Sequence, residues 1–579
     1  MPVNPENEEP TTPEKDPVNA RQGVTCWRVL DTQFEQGRRF FETWQAWRAD
    51  PWRPHLLHYV ALTQTPPTAP DLANAAENDP ALTLLAQELA GQWLDLQPGF
   101  HRFLLDQGQV VLTLCVGDTL NLLRQQQFEA DTVTWHVRHA DAGSLWTLKA
   151  LARCCRRGTS LVVRAQDALA LRDVERHLLP CGFEMHPPAA GTPSPASVTL
   201  NASYNPRWRL KNTRQTAIEA ALPVGSCAVI GAGLAGASVA AALARRGWQV
   251  TVLDQGEAPA TGASGLPVGL VVPHVSADDC ALSQLSRSGV RLMLQQARSQ
   301  LVAGQDWAPT GVLERNIDSE RLATQDIWHP QGAWLKPAQL VRAWLSQDGI
   351  TFMGKAEVRQ LRQRAGAWEL LDAQGQVLCR TMRVVLANAC GAVALLQRLL
   401  QDEPQRAPDL GRLPAMQGMR GLLSWARHDD ADAAAFPPQP VNGSGSMVPR
   451  IPIDGGSAWF MGSSYQPADQ PERADQDNHL GNWQHLRQLL PELADVLQQK
   501  FETGELNSWK KTRCVTSDRL PVVGPLESSE APGLWICAGL GSRGLSFSVL
   551  CAELLAARWG AEPWPVEARL ARALNALRG

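Results

Sequence analysis

From Cys26 onward, short apolar runs alternate with longer segments whose apolar residues recur at helical spacing. Residues 26–30, 57–63, 110–116, 132–137 and 160–163 have the composition of strands, and residues 34–47, 80–94, 120–126 and 145–155 are the amphipathic stretches between them. That alternation predicts a doubly wound α/β domain over residues 22–187. The pattern then breaks at His186-Pro-Pro188 and Gly191-Thr-Pro-Ser-Pro195 and continues into Pro206-Arg-Trp-Arg-Leu-Lys-Asn-Thr-Arg214, so residues 188–224 are expected to be a basic linker. Beyond it, an apolar strand at 227–230, a helix at 237–246 and a second strand at 249–253 open a further region spanning 225–579.

Composition narrows the classes. A chain of 579 residues suggests three or four structural units at roughly 150 residues each, and excludes a single small binding module. Lys and Arg number 54 against 58 Asp and Glu, a net charge of −4, so any nucleic acid must be held by local basic clusters. Residues 1–21 read as a disordered tail. Glu6, Glu8, Glu9, Glu14 and Asp16 among prolines are the reverse of a secretory signal, and a cytoplasmic location is expected. Twelve cysteines without a C-x-x-C pair suggest neither a disulfide framework nor a metal site. The uncharged stretch 227–244 is long enough to imitate a membrane span, but its glycines carry another explanation and no membrane partner is expected.

That explanation is a dinucleotide fingerprint. Gly231-Ala-Gly-Leu-Ala-Gly236 follows a strand and opens a helix. Gly231 permits the tight turn, Ala232 and Gly233 bring the backbone to a pyrophosphate, Gly236 allows close helix packing, and Asp254 is spaced to accept hydrogen bonds from a ribose. FAD rather than NAD is indicated by the small-residue loop Thr261-Gly262-Ala263-Ser264-Gly265, by Gly269, and by the turn Gly539-Leu-Gly541-Ser542-Arg543-Gly544-Leu545 between an apolar strand and a helix. The helix start at this turn would stabilise negative charge on a reduced flavin ring. A third apolar strand ends in small residues at Asn388-Ala-Cys-Gly391.

Asp254 with residues 261–265, the segment Arg513-Cys-Val-Thr-Ser-Asp518-Arg-Leu-Pro-Val-Val-Gly-Pro525 and the turn at 539–545 resemble the FAD-dependent half of the bifunctional tRNA 5-methylaminomethyl-2-thiouridine biosynthesis family, over about residues 227–578. That half is similar to the D-amino-acid-oxidase-like flavoproteins, glycine oxidase among them. The resemblance implies a Rossmann-type FAD domain with an interleaved α+β substrate domain. It implies oxidation of a carboxymethylaminomethyl group on the wobble uridine of a tRNA anticodon, leaving aminomethyluridine and glyoxylate, with O₂ as electron acceptor. Arg513 falls where the relatives carry a carboxylate-binding arginine, against a structural or tRNA-phosphate role. Arg543 would face phosphate or solvent, and His274 would lie near the flavin or pack as a neutral core residue.

The same family carries an N-terminal S-adenosylmethionine-dependent methyltransferase domain, and Leu57-His-Tyr-Val60, Pro98-Gly-Phe-His-Arg102, residues 111–118 and Cys181-Gly-Phe183 still resemble it. Three departures stand out. Asp31-Thr-Gln-Phe-Glu-Gln-Gly37 has Gln33 and Glu35 at two glycine positions of the cofactor loop, Leu62-Thr-Gln-Thr65 offers no carboxylate for a ribose, and residues 135–142 lack an Asp-Gly-Phe-x-Pro motif. The fold is expected without the methyl transfer, so S-adenosylmethionine is a doubtful cofactor. The alternatives are a bifunctional enzyme that also methylates aminomethyluridine, a free glycine or D-amino-acid oxidase, and a tRNA-binding scaffold with a structural flavin. Candidate RNA contacts are Arg153, Arg156, Arg157, Arg207, Trp208, Arg209, Lys211, Arg214, Lys510 and Lys511.

Overall fold

The computed structural model describes residues 25–94, 96–137, 145–186, 198–208, 220–315, 326–403, 410–429, 432–527 and 533–578. The acidic start, residues 138–142 and the basic residues Arg209, Lys211 and Arg214 lie outside them.

The first domain is built on one sheet of eight strands, β1 (Cys26–Asp31), β2 (Leu56–Thr63), β3 (Gly99–Leu105), β4 (Val110–Val116), β5 (Ala130–Val137), β6 (Cys155–Ala165), β7 (Phe183–His186) and β8 (Val198–Tyr204). They lie in the order β3-β4-β2-β1-β5-β6-β8-β7. The middle five run parallel with helices between them, which is why β2 and β4 are buried on both faces and read as continuous apolar runs. β8 corrects the expected linker. It pairs antiparallel with β6 and β7, so the first sheet continues through residue 204. Ala202 and Tyr204 alternate inward along it, a two-residue period too short to stand out behind the proline-rich break.

In the second region, β9 (Ser226–Ile230) and β10 (Gln249–Leu253) join the parallel strands Ile350–Met353, Val384–Leu386 and Leu534–Ala538, with Val522–Pro525 antiparallel at one edge. Helices Leu234–Ala244, Ala281–Gln300 and Gly544–Gly560 pack together beside this sheet. A mixed sheet forms the interleaved second layer, centred on the long strand Met416–Arg427, which pairs with Gly456–Gly462 and Asn507–Thr516. Helices Asp475–Leu489 and Pro491–Thr503 back it through an apolar cluster that includes Leu486, Leu493 and Phe501. The chain crosses between the two layers several times, as the resemblance implies.

The two halves meet over buried charge. The Arg246 guanidinium donates to Glu562 at 2.8–2.9 Å and to Glu553 at 3.0 Å. From the first domain, Arg102 of β3 stands 3.6 Å from Glu553 and donates to the Pro563 carbonyl, and His58 of β2 stands 3.1 Å from Glu562. Gln295 ties the backbone of β3 to the helix Ala281–Gln300 at both its amide atoms. Arg102, His58, Glu553 and Glu562 are all buried, and the cations hold Glu553 at about 2 despite burial. Such a cluster adds little over an apolar equivalent, yet removing one member strands the others at a cost of about 3–5 kcal/mol. Among the described residues no helix is long and apolar enough to cross a membrane, and no group of three or more His, Cys, Asp or Glu is placed to hold a metal.

Candidate functional site

A cavity of about 1090 Å³ runs from the ends of β9 and β10 to the mixed sheet. Gly231, at a φ of +106°, turns the chain away from β9, and a Cβ there would lie 2.7 Å from the Ala387 carbonyl oxygen. Both the backbone conformation and the space therefore demand glycine. Ala232 and Gly233 line the cavity beside it. Asp254 accepts from the Ala232 N–H at 2.7 Å and the Gly256 N–H at 2.8 Å. A carboxylate has about four lone-pair positions, so capacity remains for a ribose. Ser264 Oγ accepts from the Leu234 N–H at 2.8 Å at the start of the helix, where free amides and the helix dipole favour an anion.

Gly262, Ala263, Ser264 and Gly269 line the cavity, as do Gly539, Gly541, Ser542, Arg543, Gly544 and Leu545, with the N-terminus of the helix Gly544–Gly560 at the cavity. Gly265 stands behind the cavity lining rather than at the expected cofactor, and Gly236 packs the helix as its place in the fingerprint predicts. A Cβ on Gly236 would come 1.8 Å from the Gly231 carbonyl oxygen, and one on Gly265 would come 2.5 Å from that of Ala260, so both serve close packing and neither lines the cavity.

At the other end, Arg513 lies on the strand Asn507–Thr516 opposite Met419. Its Nη2 donates to Ser463 Oγ at 2.6 Å, and among the described residues no carboxylate pairs with it. Burial pulls its pKa down, as expected of a guanidinium held out of water without a counter-ion. Gly421 leaves room for it, since a Cβ there would meet Nη2 at 3.0 Å. Tyr465, Trp509, His274, Glu314 and Arg543 complete this end. His274 is held below its ordinary value by burial and by Arg543, so it is neutral near pH 7. Burial and Arg519 lower Arg543.

The basic clusters fare unevenly. Lys510 is spent on Asp475 at 2.6 Å and on Glu472, Arg156 pairs with Asp131, and Arg157 donates to Asn205, whereas Lys511, Arg153, Arg207 and Trp208 are exposed. Lys510 is therefore a poorer guide for RNA than its place in the sequence suggests.

The family model for FAD dependent oxidoreductases, DAO, matches residues 226–315 and 306–558. The tRNA 5-methylaminomethyl-2-thiouridine biosynthesis bifunctional protein MnmC of Albidiferax ferrireducens is 56% identical over 571 residues, covering 96% of this chain and 93% of its own. The chain belongs to the MnmC family. The MnmC protein of Polaromonas naphthalenivorans is 44% identical over 96% of this chain and 91% of its own. Glycine oxidase from Geobacillus kaustophilus aligns with 58% of the chain and 94% of its own at a TM-score of 0.46 and 18% identity.

Several cavity residues of this MnmC-family chain carried no local signal. Residues 356–359 follow a strand beside β10, where the rule that ligands sit beyond the carboxyl ends of parallel strands points to them. Tyr465 and Ser463 had none, because only the pairing of Gly456–Gly462 with Met416–Arg427 brings them to Arg513.

In the first domain, the loop after β1 folds onto itself. The Arg39 guanidinium donates to Asp31 Oδ2 at 3.1 Å, to the Gln33 carbonyl at 2.6 Å and to Glu35 at 3.4 Å. Tyr59 Oη donates to Asp31 Oδ2 at 2.7 Å, and Phe34 is buried, stacked on Trp93 at 5.6 Å. Burial pushes Asp31 up although Arg39 opposes it.

Proposed function

We propose that this protein oxidises the carboxymethylaminomethyl group of a tRNA wobble uridine to the aminomethyl group with release of glyoxylate, and that its first domain no longer performs methyl transfer. The observation that carries the first part is Arg513, a half-buried guanidinium that has no carboxylate partner among the described residues and lies in the same cavity as the dinucleotide cradle. A carboxymethylamine is a glycine tethered through nitrogen, and its carboxylate is the counter-ion that Arg513 lacks. The name of the relatives supports RNA as the carrier of that group.

Bound FAD would supply the two-electron oxidant for the methylene between amine and carboxylate, and O₂ would take those electrons in turn. Water then hydrolyses the C=N bond to glyoxylate and a primary amine. Arg513 fixes the carboxylate and with it the methylene, while Ser463 orients the guanidinium. Arg513 and Arg543 line the same cavity and disfavour a further positive charge, which keeps the reacting amine unprotonated. Neutral His274 adds no charge of its own. Gly231, Ala232, Gly233 and Asp254 would hold the adenosine diphosphate portion, and the helix start at Gly544 would face the ring end.

The second part rests on Arg39, which fills the strand-end position where a cofactor would enter a doubly wound domain. The test is incubation of the purified holoenzyme with tRNA bearing the carboxymethylaminomethyl group, with and without S-adenosylmethionine, followed by nucleoside mass analysis and an oxygen-electrode trace. Aminomethyluridine and one glyoxylate per oxygen consumed are expected in both cases. Methylaminomethyluridine with the methyl donor would overturn the second part. Peroxide from free glycine with unaltered tRNA would overturn the first.

A further inference from the structure

Among the described residues the exposed large aromatic side chains are Trp52, Trp146, Trp208, Trp328 and Tyr465, and of these Tyr465 alone lines the cavity that holds the dinucleotide cradle and Arg513. Its ring is 52% exposed, whereas Tyr59 and Tyr204 are buried at 2% each. A single exposed aromatic is ordinary on a protein surface, so what matters here is how this one is mounted.

The segment that carries it is fixed on alternate residues. Ser464 is buried; its N–H donates to the Leu422 carbonyl at 3.1 Å, and its Oγ accepts from the Leu422 N–H at 3.1 Å. Gln466 is buried too and pairs with Arg420 on the long strand Met416–Arg427. Ser463 and Tyr465 are the residues left facing the other way, and both line the cavity while Ser464 and Gln466 do not. Ser463 holds the Arg513 guanidinium, so the ring of Tyr465 stands on the same side as the carboxylate clamp. Its hydroxyl is within electrostatic reach of both Arg513 and Arg543. Among the described residues that hydroxyl takes no hydrogen bond and the ring packs on no other ring.

The spacing suits the substrate proposed above. An extended chain advances about 3.3 Å per residue, so Ser463 and Tyr465 are rooted at most about 7 Å apart. In a carboxymethylaminomethyluridine, four single bonds of about 1.5 Å separate the carboxylate carbon from the uracil ring, an extended reach of about 5 Å. A carboxylate on Arg513, beside Ser463, therefore leaves the base within reach of the Tyr465 ring. The planar fork of Arg513 already meets the carboxylate, and the open face of an aromatic ring is what a planar base can cover.

We propose that Tyr465 stacks on the uracil ring whose side arm is oxidised, and so makes the enzyme prefer that arm on a nucleoside to the same arm on a free amino acid. This rests on the uridine-borne group being the substrate, and it adds the residue that distinguishes the two carriers.

The test measures kcat/KM of the holoenzyme for the carboxymethylaminomethyluridine nucleoside and for N-methylglycine, which is the same arm without the base. The nucleoside is expected to be preferred by about tenfold or more, the contribution of one stacked base. Tyr465→Leu should reduce that preference to about twofold or less, and Tyr465→Phe, which keeps the ring and loses the hydroxyl, should retain it. Flavin absorbance checks that the cradle is intact in each variant, and Tyr465→Gln, equally ring-free, replaces a Leu variant that loses flavin. A preference missing from the unsubstituted enzyme, or one that survives in Tyr465→Leu, would overturn the proposal alone. A loss in Tyr465→Phe as large as in Tyr465→Leu would assign the contact to the hydroxyl and overturn stacking. Oxidation of neither the nucleoside nor the modified tRNA would overturn the reaction on which the proposal depends.

Discussion

At the scale of single residues, the substrate end depends on how one guanidinium is held. Arg513→Lys keeps the charge but loses the planar fork, and kcat/KM is expected to fall by about 10- to 100-fold, the loss of one charged hydrogen bond. Steady-state kinetics at constant flavin content checks this. Gly421→Ala should raise KM for the carboxylate-bearing substrate and leave KM for oxygen unchanged, because its Cβ would press on Arg513 from 3.0 Å without touching the dinucleotide cradle. The glycines and Asp254 of that cradle were legible because strand, turn and helix are contiguous in sequence and each has one physical reason to be there. Arg513 was legible only through resemblance. Tyr465, Ser463 and Gly421 were not, since their relation to Arg513 is made by strand pairing across more than forty residues and leaves no periodicity in the chain.

At the scale of elements, the helix that presents Gly544 to the cavity is held by its neighbour. A Cβ on Gly289 of the helix Ala281–Gln300 would fall 1.6 Å from the Ser546 carbonyl oxygen. Gly289→Ala must push the two helices apart, so it is expected to cost about 1–3 kcal/mol or more and to weaken flavin retention. Thermal unfolding and the ratio of flavin to protein absorbance measure both. Elements with a strong local pattern were found near their sequence-derived bounds, β4 at Val110–Val116 among them. β3 was missed because His101 and Arg102 are buried in its middle, His101 on the Gln97 carbonyl and Arg102 between Thr113 of β4 and the Pro563 carbonyl of the second domain, partners that no local pattern announces. The mixed sheet was implied by resemblance, but its short strands, such as Val441–Gly443, have no pattern of their own.

For the whole molecule, the buried charge makes one folding unit of two domains. Arg246→Met would leave Glu553 and Glu562 short of counter-charge and is expected to destabilise the entire chain by about 3–5 kcal/mol in a single calorimetric transition. Acid should act similarly. Burial lowers His58 and holds His101 at about 3, so below an ordinary value near 6.5 the unfolded chain takes up protons that the folded one refuses. Stability is therefore intact above pH 6.5 and declines on acidification, by about 2 kcal/mol from His101 alone at pH 5. The protonation of Glu553 adds to the loss between about pH 4.5 and 2. A melting temperature that holds between pH 7 and 5 would contradict this. The same cluster bears on what a gene can discard. In the segment 31–37 exposed Glu35 and Gln36 are free to drift whereas buried Asp31 and Phe34 are not, and a truncation that removes β2 and β3 takes His58 and Arg102 away from the flavin half. Chemistry can be shed from the first domain by substitution, whereas the domain itself cannot be shed by deletion without selecting new side chains around Glu553 and Glu562.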